Sequence, residues 1–103
     1  MVSEELNRAR AKILTDLKQY PDMNGDIKIG KLTALRAIYK KDNDISHELW
    51  ANFELRKALN RKLSSPLPVP ETKKLLRDYW GTYLVAAPYD FHSFLLYMEK
   101  DRE

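Results

Sequence analysis

The chain has 103 residues, of which 44% are hydrophobic and 32% charged, with a net charge of +3 and no cysteine. This is the make-up of one globular domain with a core of modest size, neither disordered nor membrane-embedded. It excludes a disulfide framework, a thiolate metal site and a bilayer-spanning apolar run, and no basic-then-apolar leader is evident.

Ser3 is a good N-cap, and Glu4 and Glu5 suit the positive end of a helix. Leu6, Ala9, Ile13, Leu17 and Tyr20, widened by Leu14, recur at three- and four-residue spacing, which predicts an amphipathic helix ended by Pro21. Asp22-Met23-Asn24-Gly25 is turn chemistry, and the alternation Asp26-Ile27-Lys28-Ile29-Gly30 reads as an extended lead-in to a second helix over Lys31–Lys41. That helix turns Leu32, Leu35, Ile38 and Tyr39 inward. Asp42-Asn43-Asp44 is a turn that caps a third helix, Ile45–Leu63, with an apolar stripe of Leu49, Phe53, Leu55, Leu59 and Leu63 and with Trp50 beside it.

Ser64-Ser65-Pro66-Leu67-Pro68-Val69-Pro70 predicts an extended strap, with Leu67 and Val69 packing down. Pro70 and Glu71 open a fourth helix to about Ala86, with Leu75, Leu76, Tyr79, Tyr83 and Leu84 on one side and Trp80 near its edge. Pro88 is expected to end it, and Asp90 to cap a fifth helix carrying Phe91, Phe94, Leu95 and Met98. Seven of the eleven aromatic residues lie between Tyr79 and Tyr97, so this quarter is expected to organise the core. The fold expected is all-α: residues 1–103 as one domain, a compact bundle of about five helices with a Pro-rich strap between the third and fourth.

Chemistry is sparse. His47 stands at a helix start, and His92 and Ser93 are adjacent on a helix, where neighbouring side chains diverge by about 100°. Glu4/Glu5, Asp42/Asp44 and Asp90 are explained by caps and turns. Asp22–Asp26 lacks the ligand spacing of a calcium loop, and no phosphate loop is present. No catalytic residue, metal ligand, cofactor or small-molecule substrate is indicated, and an enzyme is the least supported class.

Charge is distributed unevenly: residues 28–87 hold twelve Lys/Arg against six Asp/Glu, a local +6. A basic middle of this kind suits nucleic acid or an acidic partner, and it equally describes solvated helix faces. The candidate nucleic-acid-binding residues are Lys31, Arg36, Lys40, Lys41, Arg56, Lys57, Asn60 and Arg61 on the second and third helices, with Lys73, Lys74 and Arg77 on the fourth. A helix–turn–helix that reads bases is disfavoured, because the third helix begins with Asp44 and Glu48 where base-reading residues belong; phosphate contact survives that objection. Trp50 and Trp80, at the margins of their stripes, are candidate protein-interaction anchors.

Arg77-Asp78-Tyr79 followed by Ala86-Ala87-Pro88-Tyr89-Asp90-Phe91-His92-Ser93-Phe94-Leu95-Leu96-Tyr97-Met98-Glu99 resembles the helical region upstream of the ATPase domain in large terminase subunits of some prophages. The resemblance implies a phage or prophage origin, a bacterial cytoplasmic setting, and contact with DNA or a DNA-packaging complex. With no phosphate loop within these residues, the family's ATPase and nuclease roles are not carried over. The expected function is therefore a non-enzymatic helical binding module. It contacts nucleic acid or a nucleic-acid-processing complex through its basic middle. The alternative is a small phage protein that inhibits a host defence nuclease by stoichiometric binding, in the manner of anti-CRISPR proteins.

Overall fold

The computed structural model describes residues 3–101, with side chains described for residues 3–89. Four helices follow one another: α1 Glu4–Gln19, α2 Gly25–Lys41, α3 Ile45–Leu63 and α4 Val69–Asp101. No strand occurs among the described residues. The helices form a serial array, α1 against α2, α2 against α3 and α3 against α4.

The α2–α3 hairpin is the centre of the molecule, and local chemistry sets both of its ends. Asn24 caps α2, its Oδ1 accepting the Asp26 N–H at 2.8 Å. The helix ends on Asn43, held in the left-handed region at φ 55°. The Asn43 N–H donates to the Lys40 carbonyl and the Asp44 N–H to the Tyr39 carbonyl, the paired bonds of a Schellman motif, in which Asn is a natural stand-in for Gly. Asp44 then caps α3 through the His47 N–H and also accepts the His47 ring at 2.7 Å. The ring stacks on Tyr39, which ties this exposed first-turn histidine to α2.

Leu32, Leu35 and Tyr39 of α2, Ala51, Leu55 and Leu59 of α3 and Leu75 of α4 form the buried cluster. All four residues expected to point inward from α2 do so, Ile38 included. The stretch read as extended is instead the first turns of α2. Over so few residues, alternating Ile27 and Ile29 cannot be told from a helical pattern. In the helix Ile29 packs with the core and Ile27 is exposed.

α1 has no fully buried residue. It rests on α2 through Ile13, Leu14 and Leu17 and through two ion pairs, Lys31–Asp16 at 2.9 Å and Arg10–Asp42 at 3.6 Å. Tyr20, expected on the stripe, is exposed.

The two expected C-terminal helices are one. α4 continues through Pro88, so the expected stop at Pro88 and restart at Asp90 do not occur, and the bundle has four helices rather than five. Proline in a helix interior removes its own N–H bond, here to the Leu84 carbonyl, and its ring crowds that carbonyl; Leu84 is on the exposed side, where the carbonyl can tilt toward water and the helix continue. The expected strap is also shorter. The non-helical link is Ser64–Pro68, and Val69 and Pro70 already belong to α4. Leu67 packs on the core as expected, whereas Val69 is exposed.

Of the aromatic quarter, Tyr79 packs against the core, whereas Leu76, Trp80, Tyr83 and Leu84 are exposed; the side chains of Phe91, Phe94, Leu95 and Met98 lie outside the described residues. Among the described residues, the buried face of α4 holds Leu75, Thr82 and Ala86.

The docking of α1 sets a pH dependence. The hydrogen bond from Lys31 holds the Asp16 carboxyl below its ordinary 3.8, against the opposing effect of burial, with the charges of Lys31 and Lys12 adding to it. A depressed carboxylate stabilises the fold above its unfolded pKa, and that contribution is lost as pH falls through the folded value. Urea unfolding midpoints should therefore decline as pH drops below about 4, and Asp16→Asn should flatten that acid limb.

A basic end and an aromatic face

The polar side chains sort into those that hold the helices together and those that are free. The first group centres on one carbonyl of α4. Asn52 and Thr82 are 1% and 0% exposed. The Asn52 amide donates to the Thr82 carbonyl at 2.8 Å, and its Oδ1 accepts from Arg36 Nη1 at 2.7 Å. Arg56 reaches the same residue twice, Nε to Thr82 Oγ1 at 3.0 Å and Nη2 to the Thr82 carbonyl at 3.2 Å. The Thr82 hydroxyl donates in turn to the Tyr79 carbonyl at 2.6 Å. Burial pulls the Arg36 pKa below its ordinary value, opposed by the charges of buried Glu48 and of Asp78. It stays cationic, since a guanidinium does not deprotonate in proteins.

Arg36 and Arg56, both expected to touch nucleic acid, are half-buried, and each gives part of its guanidinium to helix contacts, Arg36 to Asn52 and Arg56 to Thr82. Lys31 is tied to Asp16. Lys40 and Lys41 are exposed at the C-terminal end of α2. The α2–α3 turn places that end at the start of α3, whereas Asn60 and Arg61 stand near its finish and Lys73, Lys74 and Arg77 just beyond. A 19-residue helix is about 28 Å long, so the expected residues are divided between the two ends of the molecule.

The end where α2 begins, α3 finishes and α4 begins is the richer in cations. A cleft of about 540 Å³ opens there between the α1–α2 turn and the last turns of α3. Lys28, Lys57, Arg61 and Lys62 line it against Asp22 and Glu54. Lys62 is paired with Asp26 and Lys57 with Glu54. Lys28 was not among the expected residues, because the segment holding it reads as extended; capped by Asn24, it stands one turn into α2.

Beside this end, α3 and α4 share an outward aromatic face. Trp80 is 61% exposed and Phe53 52%, with Tyr83 also exposed. Tyr79, Trp80 and Tyr83 touch one another with ring centroids 5.5–5.7 Å apart. The Arg56 guanidinium lies 3.8 Å over the Tyr83 ring, and the Lys57 ammonium 5.0 Å from the Phe53 ring. Trp50 is exposed too, but it borders a separate groove with Leu14 and Leu17 of α1. Phe53, expected inside, stands about 160° from buried Leu55 on the helical wheel, which was the available sign of its exposure.

Among the described residues there is no group of acidic and histidine side chains suited to a metal, and no helix is long and apolar enough to cross a membrane. Comparisons with protein-family models, with curated proteins and with solved structures give no match.

This division of the cations has a direct test in stability. Arg36→Ala and Arg56→Ala each remove charge-assisted bonds to buried partners and should cost about 1.5–3 kcal/mol. Arg61→Ala and Lys73→Ala should stay within about 0.5 kcal/mol of the parent. Urea denaturation of the four variants measures both.

Proposed function

We propose that the protein is a non-enzymatic binding module whose basic end, around Lys28 and Arg61, contacts the phosphates of nucleic acid, alone or within a nucleic-acid-processing complex. The observation that supports it most is the gathering of cations at one end, Lys28 of α2 facing Lys57, Arg61 and Lys62 of α3 across a cleft of about 540 Å³. Lys28 and Arg61 there have no ion-pair partner among the described residues. Exposed Lys73, Lys74 and Arg77 on α4 extend the positive surface beyond the cleft. Contacts of this kind carry no base information, so binding is expected to be indifferent to sequence and steeply dependent on salt.

Fluorescence anisotropy with labelled duplex DNA at rising salt measures this. Four neutralised phosphates give a slope of log affinity against log salt of about −3.6. The Lys28→Glu/Arg61→Glu variant should lose most binding at low salt while keeping its unfolding midpoint. Lys40→Glu/Lys41→Glu, at the other end, should change it little. Absence of binding at low salt, or affinity insensitive to salt, would refute the reading.

A further inference from the structure

We infer that the aromatic face of α3 and α4 is a stacking platform for the bases of single-stranded nucleic acid, fed by the neighbouring cations. This rests on the phosphate-binding reading above and names its ligand class. Three observations carry it.

The rings are exposed where burial was available. Trp80, Tyr83 and Phe53 stand outside the core, while the buried positions of α4 are taken by Leu75, Thr82 and Ala86. A tryptophan held mainly in water gives the fold little, whereas a flat ring in water offers a π-face to any base.

The platform is held in place. Tyr83 is fixed by the Arg56 guanidinium on its face and by the Tyr79 hydroxyl at 3.2 Å, and Arg56 is itself bonded to buried Thr82. Trp80 rests against both tyrosines. The rings are thus ordered before any ligand arrives, which lowers the entropic cost of binding.

The charge around the rings is mainly positive. Arg56 lies over Tyr83, Lys57 beside Phe53 and Lys73 two turns before Trp80, with Glu54, the partner of Lys57, the acid near this face. Lys73 lies seven residues before Trp80, two helical turns along the same face, roughly 10 Å away and within a nucleotide or two of backbone. Arg61, one residue beyond Asn60, connects the face to the basic cleft. Cations at that spacing beside exposed rings suit a ligand with alternating phosphates and planar bases. A duplex, with its bases stacked inside, meets only the cations.

The experiment uses the full chain with Trp50→Phe, so that Trp80 is the single tryptophan. Titration with oligothymidylate and with oligouridylate should quench its emission in step with anisotropy. Trp80→Ala should weaken binding to both single strands by about tenfold and duplex binding by less than about twofold, and Trp80→Phe should restore most of the loss. The salt slope should survive Trp80→Ala and shrink in Arg61→Ala/Lys73→Ala. Unchanged Trp80 emission at saturation, or unchanged single-strand affinity in Trp80→Ala, would overturn the platform while salt-dependent duplex binding left the phosphate reading standing. Failure of both strand forms to bind the parent at low salt would overturn both. A dimer in sedimentation velocity that Trp80→Ala dissolves would also overturn it, by assigning the face to a second copy of the chain.

Discussion

The Thr82 carbonyl is the point on which the arrangement of α2, α3 and α4 depends. It accepts from Asn52 and from Arg56, and Asn52 passes the connection to Arg36 on α2. Apolar packing alone would let α4 slide or roll on α3, because Leu75 and Ala86 fit many holes. A one-residue slip would carry the Thr82 carbonyl about 100° away and leave the Asn52 amide and the Arg56 guanidinium without their partners in a half-buried site. Such groups are expensive to leave unmatched, and every buried side-chain nitrogen and oxygen among the described residues has a partner. The network therefore selects one register as well as stabilising it.

That selection also decides which cations remain for anything else. Two arginines on the central hairpin take part in the network that seats α4, Arg56 directly and Arg36 through Asn52, and Arg56 fixes an aromatic ring from the outside as it does so. What is left free lies at the end of the molecule where three helices terminate or begin. The proposed phosphate contacts and the proposed base platform are consequently neighbours, joined along the last turns of α3.

The hairpin was legible from sequence because its signals agree: Asn and Asp at the turn, caps on either side, and an apolar stripe at Leu32, Leu35, Ile38 and Tyr39 that only a helix explains. The start of α2 was not, since two isoleucines two apart fit either period. α4 was misdivided because Pro88 reads as a stop. The flanking Ala86 and Ala87 tolerate a helix, and a single lost hydrogen bond on a solvated side does not end one. The bonds of Arg36 and Arg56 to Asn52 and Thr82 were not legible, because charge alone cannot distinguish a cation facing water from one facing a buried amide. Asn52 and Thr82 were the available clue: polar residues in the middle of long helices, aligned with apolar positions, call for a buried partner. Within the aromatic run, the helical angle from buried Thr82 sends Trp80 outward, a distinction that ring content alone does not make.

Among the described residues α4 rests mainly on α3, with a smaller approach to α2 where Arg77 and Asp78 face Arg36. A helix held mainly on one side opens at lower cost than the helices of the central hairpin. A strand laid across Phe53 and Trp80 bridges that seam. Binding and the docking of α4 are then linked: a bound strand stabilises the docked helix, and loosening the helix weakens the grip only as far as it depopulates the docked state.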